Sequence, residues 1–556
     1  MNLTLTLMNH HLKVFIILVC SLLMANVSSA QQKVFTRTDS LRGSITLERD
    51  WWDLTYYHLD MSVDIENKRI SGKNTIHYKV LKSNQIMQID LQPPMKIEKV
   101  VQNGKNLEIS HETNAHFVKM SKEQKVGDQN FLEVYYSGQP KEAANAPWDA
   151  GITWTQDEKG LPFVASTCQG NGASLWWPCK DHSYDEPDSM LISVNVPKDL
   201  VNVSNGRLRG IDKGRKGTKT FHWFVSNPIN NYGVNINIGN YVNFSEKYEG
   251  EKGVLDLDYY VLKQNLKKAK KQFSQGKMTV EAFEHWFGPY PFYEDSYKLV
   301  EAPYLGMEHQ SSVTYGNGFE NGYRGTDLSG SGWGMKFDFI IVHESGHEWF
   351  ANNITNIDMA DMWIHEGFTA YSENLYLDYH YGKQASQEYV IGTRLKINNE
   401  TPIIGPYNVN QRGSNDMYYK GANILHTLRQ LSADDEKWRK ILRGLNQEFY
   451  HQTVNTSQIE NYISKGLRMN LTSFFDQYLR DSRVPILEYF VKGEILSARW
   501  TNCVLGFEMP IIVSINGNDQ WIEPNTKWQQ VEAKQPVKSV ELDPNFYVAS
   551  MNVLGD

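Results

Sequence analysis

Cysteine is scarce in this chain, with four in 556 residues. No disulfide framework can carry the fold, and the paired close spacing of a cysteine zinc site is missing. Beyond residue 30 no hydrophobic stretch is long enough to span a bilayer, which argues against a stable membrane span. Positive charge is not in excess: 56 Lys and Arg against 64 Asp and Glu leave a net charge of −8. No basic patch points to a nucleic-acid partner. Internal repeats and low-complexity tracts are missing as well. What is there, 40% hydrophobic and 22% charged residues, is the composition of a globular protein. The length exceeds what one core can serve, so three or four domains are expected. Aromatic residues reach 12%, and the doublets Trp51-Trp52 and Trp176-Trp177 read as core or interface packing. Nothing in the sequence specifies an oligomeric state.

The N-terminus reads as a targeting segment. Lys13 precedes an apolar run from Val14 to Val27, and Ser28-Ser29-Ala30 supplies small residues for cleavage. A signal peptide over 1–30 implies a secreted or periplasmic protein beginning at Gln31. Cys20 would leave with it. Cys168, Cys179 and Cys503 remain, an odd count that leaves at least one free thiol; a Cys168–Cys179 bridge stays open. Asn-x-Ser/Thr sequons occur at Asn202, Asn243, Asn353 and Asn470 and matter only in a glycosylating compartment.

From about Asp50 the chain alternates apolar and polar residues in short runs, as in Leu59-Asp60-Met61-Ser62-Val63-Asp64-Ile65, which predicts strands. Near Leu266 the pattern turns helical, and residues 372–480 read mostly helical. From Leu487 the period of two returns. The expected order is a β domain over 31–263, a mainly helical catalytic domain over 264–485 and a small β domain over 486–556, a multidomain α+β protein. Residues 316–334 hold seven glycines and read either as a mobile cleft rim or as a connector.

The chemistry gathers at His343-Glu344-Ser345-Gly346-His347. Residues four apart on a helix point the same way, so both imidazoles can reach one ion. Met335 to Val342, apolar-rich and without Gly or Pro, predicts the helix that carries them. Glu344 lies beside that face and can reach a water on the metal. Glu366, in Asp361-Met362-Trp363-Ile364-His365-Glu366-Gly367, supplies a third ligand from a second helix. Three protein ligands and an open position describe one catalytic Zn2+, which lowers the pKa of its water to about 7 and polarises a carbonyl.

His-Glu-x-x-His followed after eighteen residues by Glu in a Trp-x-x-Glu-Gly setting resembles the gluzincin aminopeptidases of family M1. Four further segments resemble that family in order: Thr167-Cys168-Gln169 with Pro178-Cys179 and Asp185-Glu186-Pro187; Phe287-Gly288-Pro289-Tyr290-Pro291-Phe292; Gly306-Met307-Glu308-His309; and Tyr418-Tyr419-Lys420-Gly421. The resemblance runs from about residue 50 to the end. It implies a saddle-like N-terminal β-sheet domain, a thermolysin-like catalytic domain, and a secreted zinc aminopeptidase that acts on peptides with a free N-terminus. In that frame Glu308 and Gln169 anchor the substrate's α-amine through charge-assisted hydrogen bonds. Gly306 and Met307 align the substrate strand, and Tyr418 donates to the developing oxyanion. Glu344 serves as general base and then acid. Asp361 and Glu373 are expected partners of the ligand histidines.

The chain departs from the family pattern at Leu305, where a Gly is usual, and at His309, where Asn is usual; His309 reads either as a structural histidine or as a substrate contact. Many relatives continue into a helical domain that caps the site, and this chain is expected to lack it. Two other chemistries use the same donor set, an endopeptidase and an epoxide hydrolase. A non-catalytic binding protein would be expected to have lost the base or a ligand, and here all are present.

Overall fold

The period-two segments of the first third do form sheet. In a computed structural model that describes residues 34–214 and 217–554, an eight-stranded sheet is centred on Ser189–Pro197, Trp52–Asp64, Arg69–Val80 and Gln129–Gly138. One of its inner pairings, Trp52–Asp64 with Ser189–Pro197, is parallel. The signal peptide expected over 1–30 lies outside the described residues. A four-stranded sheet carrying Pro162–Thr167 and a three-stranded sheet carrying Asn84–Asp90 share one core with the large sheet. Trp51, Trp52, Trp176 and Trp177 are all buried in that core, so both doublets serve packing. Aromatic side chains of this size contribute the largest share of apolar burial per residue.

The hairpin Tyr241–Gly250/Gly253–Leu262 does not stay with these sheets. Leu257 to Tyr260 pair in parallel with Tyr297 to Val300, which makes the hairpin the edge of a five-stranded sheet shared with Val313–Tyr315 and Gly306–Met307. We therefore place the structural break near residue 240 rather than at 263. Alternation announces a strand but not its partner, because the partner's ladder lies far away in sequence. The helical stretch expected from Leu266 to Phe287 is two helices, Leu266–Gln272 and Ser274–Phe287.

Two helices carry the metal motif. Phe339–Gly346 begins at Asp338, whose side chain accepts from the amides of Ile340 and Ile341, so the helix starts later than Met335. Its β-branched Ile340, Ile341 and Val342 are modest helix formers. The helix is held instead by burial, since all eight of its residues are buried. Trp363–Tyr381 is buried without interruption from Trp363 to Leu377, as expected of a helix at the centre of a domain. The glycine-rich segment between the five-stranded sheet and the first of these helices is fastened rather than loose. Asn317 Nδ2 donates to the carbonyl of Gly322 and to Asp338 Oδ1, and Asp327 accepts from the amides of Ser329 and Gly332.

The C-terminal strands form a four-stranded and a three-stranded sheet that pack onto the helices through a continuous apolar core including Tyr478, Trp500, Phe507 and Phe546. Tyr478 donates its hydroxyl to the Tyr547 carbonyl. Among the described residues no helix is long and apolar enough to cross a membrane.

Candidate metal centre and substrate cleft

His343 lies in the last turn of its helix and His347 caps that helix's C-terminus. Glu366 enters from the buried first turn of the neighbouring helix. Its Oε2 is 3.7 Å from His343 Nε2 and 3.4 Å from His347 Nε2. Donors around a tetrahedral zinc, each about 2.0–2.2 Å from the ion, stand about 3.3–3.6 Å from one another. This Oε2 is buried and has no hydrogen-bond partner, a cost that a bound cation removes. Glu308, Glu344, Glu366 and Glu373 bring four buried carboxylates to two histidines, an excess of negative charge that suits a dication. On donor type, spacing and charge, the residues present fit zinc.

The two histidines are held differently. His343 Nδ1 is 2.8 Å from Glu373 Oε1, and Tyr389 donates to the other oxygen of the same carboxylate at 2.6 Å. His347 Nδ1 is 3.0 Å from the Phe350 carbonyl and 3.0 Å from the Thr369 hydroxyl. In both cases Nδ1 is occupied and Nε2 is left aimed at Glu366, the tautomer a ligand needs. Glu373 is thus found where expected. Asp361 is not: its Oδ1 accepts from Tyr407 and Thr456, on a different side of the helix start. Thr369, Phe350 and Tyr389 escaped sequence reasoning. Thr369 sits three residues past Glu366, on the helix face that meets His347, and that spacing was its available signal.

Burial opposes charge on His343, but Glu366 and Glu373 hold its imidazole well above the ordinary range. Burial likewise opposes charge on Glu366, and the two histidines hold its carboxyl well below. Burial pushes the Glu344 carboxyl up to about 7 against the pull of His343.

The remaining expected residues gather around this cluster in a cleft of about 750 Å³, which is lined by Gln169, Gly306, Met307, Glu308, Glu344 and Tyr418 among others. Gln169 comes from the N-terminal domain and donates to Glu308 Oε1 at 2.6 Å and to Glu366 Oε1 at 3.0 Å. The Glu308 carbonyl accepts from Asn352 Nδ2 at 2.8 Å, and Asn352 also reaches Glu348. This brace was not legible in the sequence. Gly306 crosses directly over the metal helix: a Cβ there would lie 2.6 Å from Ile340 Cγ2 and 3.1 Å from Glu344 Oε1.

Gly421 has a similar reason. A Cβ on it would lie 2.7 Å from Gly367 Cα, so the two glycines let two helices touch backbone to backbone and seat Tyr418 over the cluster. The Tyr418 ring stacks near His343 at 6.2 Å between centroids. Burial, and then Glu366, push its phenol well up. For Tyr419 the acid felt most is Glu373, behind the ligand shell. Of the adjacent tyrosines, Tyr418 is the one set toward Glu366.

His309 is buried with Nδ1 3.2 Å from the Thr314 hydroxyl and does not line the cleft, which favours the structural reading. Cys168 and Cys179 are buried free thiols, not a bridge. The sequons at Asn202 and Asn353 are buried and hydrogen-bonded, whereas Asn243 and Asn470 are exposed.

With this geometry in place, comparison with known proteins is direct. The Peptidase M1 N-terminal domain matches residues 54–232 and the Peptidase family M1 domain matches residues 273–478, together well over half the chain. The chain belongs to peptidase family M1. It is 21% identical over 439 residues to leukotriene A-4 hydrolase of Xenopus laevis, covering 74% of this chain and 68% of that one. It is 21% identical over 475 residues to a leucyl aminopeptidase of Saccharolobus solfataricus, covering 81% of this chain and 58% of that one. A probable aminopeptidase of Sulfurisphaera tokodaii is 20% identical over 440 residues, and 53% of its length is covered. The chain thus spans about half to two-thirds of these relatives.

Among solved structures, a mutant M1 zinc metallopeptidase from Deinococcus radiodurans bound to a Tyr-Ser-Ala substrate superposes with a TM-score of 0.65 at 19% identity. The match covers 79% of this chain and 96% of that one. At that identity the likeness establishes the fold.

Proposed function

We propose that this protein is a zinc aminopeptidase that hydrolyses the N-terminal peptide bond of peptides with a free α-amine. The observation that carries the reading is the unpartnered Glu366 Oε2 facing both histidine Nε2 atoms, with Glu308 and Gln169 beside it in one cleft. In this reading His343, His347 and Glu366 hold a single ion; a second buried donor group among the described residues, Glu308, Glu344 and His347, shares His347 with it. When bound, zinc supplies a Lewis acid that acidifies water and polarises the scissile carbonyl.

The chain's own groups do the rest. Glu344, buried at the cleft wall, takes a proton from the attacking water and passes it to the leaving amine. Tyr418 donates its hydroxyl to the oxyanion that develops on the carbonyl. Glu308 and the amide oxygen of Gln169 receive the α-amine. Gly306 lets the strand that would align the substrate lie close over the metal helix, and Met307 continues that strand.

The test is hydrolysis of a panel of aminoacyl amides and of matched N-acetylated peptides, with and without a chelator, with zinc content measured in parallel. The reading expects zinc-dependent cleavage of free-amine substrates only. Cleavage of the acetylated peptides would move the assignment to an endopeptidase, and epoxide turnover without peptide turnover would move it to the hydrolase chemistry. We also read residues 1–30 as a cleaved export signal, so that the enzyme works in the periplasm or outside the cell. N-terminal sequencing of the mature protein, expected to begin at Gln31, checks it.

A further inference from the structure

The helix Arg37–Gly43 takes no part in the metal centre, and it precedes residue 54, where the family match begins. It is nonetheless firmly docked. A capping box between Thr36 and Asp39 closes its N-terminus. At the other end Arg49, fully buried and paired with Asp90 at 2.6 Å, donates to the carbonyls of Leu41 at 2.9 Å and Ser44 at 2.8 Å. Carbonyls at a helix end otherwise lack partners. Gly43 packs against the segment that leads to Tyr418: a Cβ on it would stand 2.1 Å from the Val409 carbonyl carbon.

What the helix presents is Arg42. Its guanidinium donates to the carbonyls of Gly170 and Asn171, in the turn that begins at Gln169. Gly170 also accepts from Asn410 Nδ2 at 3.1 Å, and Asn171 from Gln92 Nε2 at 2.7 Å. Donors from three distant segments thus grip the backbone of the turn, while the Gln169 side chain reaches Glu308 and Glu366. Arg42 and Gly43 line a small chamber that shares Gln169 and Asn410 with the cleft. A planar guanidinium bridges two carbonyls in a fixed geometry, and a shift of about 1 Å in a substrate-binding group is enough to weaken its contacts. We propose that Arg42 is a positioning residue for substrate binding: the helix Arg37–Gly43 sets the 169–172 turn, and through it the side chain that receives the α-amine. This rests on the role of Gln169 in the aminopeptidase reading and identifies what holds that anchor in place.

The experiment uses the full protein with Arg42→Met, Arg42→Lys, Gln169→Ala and the Arg42→Met/Gln169→Ala double variant. Arg37→Met is the control, since Arg37 lies on the same helix but pairs with Glu112 in solvent. Hydrolysis of aminoacyl amides, zinc content and melting temperature are measured together. Arg42→Met is expected to raise KM by about three- to fivefold, less than loss of the Gln169 hydrogen bond itself, because it acts through that side chain. The kcat and zinc content should stay at wild-type values. Arg42→Lys keeps the charge and one donor; its KM should lie between wild type and Arg42→Met, and it carries the test if the latter does not fold. On the Gln169→Ala background Arg42→Met should add nothing, the mark of two residues acting as a unit. Hydrogen exchange at the amides of 169–172 should quicken in Arg42→Met.

A KM effect that adds in full to that of Gln169→Ala overturns the proposal. So does one that Arg37→Met reproduces, or one accompanied by equal losses of kcat and zinc, since each would make the helix a general brace. The two readings fail separately. A KM raised by Gln169→Ala but by neither substitution at Arg42 sinks this inference alone. Faster exchange in 169–172 on Arg42→Met, with KM untouched by Gln169→Ala, sinks the amine-anchoring role of Gln169 and leaves the grip on the turn standing.

Discussion

In the proposed reading the cleft has a metal half and an amine-anchoring half, and the two are built in different ways. The metal half takes all three donors and the base from residues 343 to 366, on two helices of one domain. The anchoring half joins Gln169, from the N-terminal domain, to Glu308, just past the short edge strand Gly306–Met307 and braced by Asn352. The first is set by helix periodicity and a contact between neighbouring helices. The second exists only because two domains pack against each other. Gln169 touches both halves, since it donates to Glu308 and to Glu366. Substitutions in the metal half should therefore change zinc content or chemistry. Substitutions in the anchoring half should change how the substrate's amine is recognised.

The largest effect expected is from Glu344→Gln. Turnover should fall by up to about 10⁴, the upper range for a general base, while zinc stoichiometry stays at the wild-type value. Turnover near wild type would remove Glu344 from the mechanism and leave the metal half without a base. Next is Tyr418→Phe, expected to lower kcat by roughly 10²–10³, the loss typical of one oxyanion donor. Steady-state kinetics that show only a change in KM would contradict that role.

Third is Glu373→Gln, which keeps the shape but weakens the acceptor for His343 Nδ1. Zinc affinity should fall by about 10–100-fold, measured by competition with a chromogenic chelator. An unchanged affinity would mean that the carboxylate does not orient the ligand. The smallest effect is from Gln169→Ala. KM for aminoacyl amides should rise by about five- to tenfold, the worth of one ordinary hydrogen bond of about 1 kcal/mol, with zinc binding unaffected. If zinc affinity falls as well, the two halves are coupled through the Glu366 contact and the comparison must be redrawn.

Much of the metal half was legible in the sequence. His343 and His347 share a face because a helix repeats every 3.6 residues, and Glu373 could be proposed from its place on the same helix as Glu366. Asp361 was misplaced because its direction depends on Tyr407 and Thr456, 46 and 95 residues away. The hairpin 241–262 was read correctly as strands but grouped with the wrong sheet, since its ladder closes onto Tyr297–Val300. Gly306, Gly367 and Gly421 stood in motifs without a stated cause, and the cause is the close approach of neighbouring backbones. Leu305 and His309, read as departures from the family pattern, are buried; His309 Nδ1 lies against the Thr314 hydroxyl.

By itself, then, the sequence determined the donor types, their helical spacing and the alternation of strand and helix along the chain, because these follow from local periodicity and side-chain chemistry. Only the tertiary structure decided which oxygen of Glu366 faces the imidazoles and which acid or carbonyl holds each histidine. It also turned Tyr418, rather than its neighbour, toward Glu366 and brought Gln169 across a domain boundary to Glu308. Those outcomes depend on contacts between segments tens to hundreds of residues apart, where burial and close packing, rather than any short-range preference, choose among the alternatives.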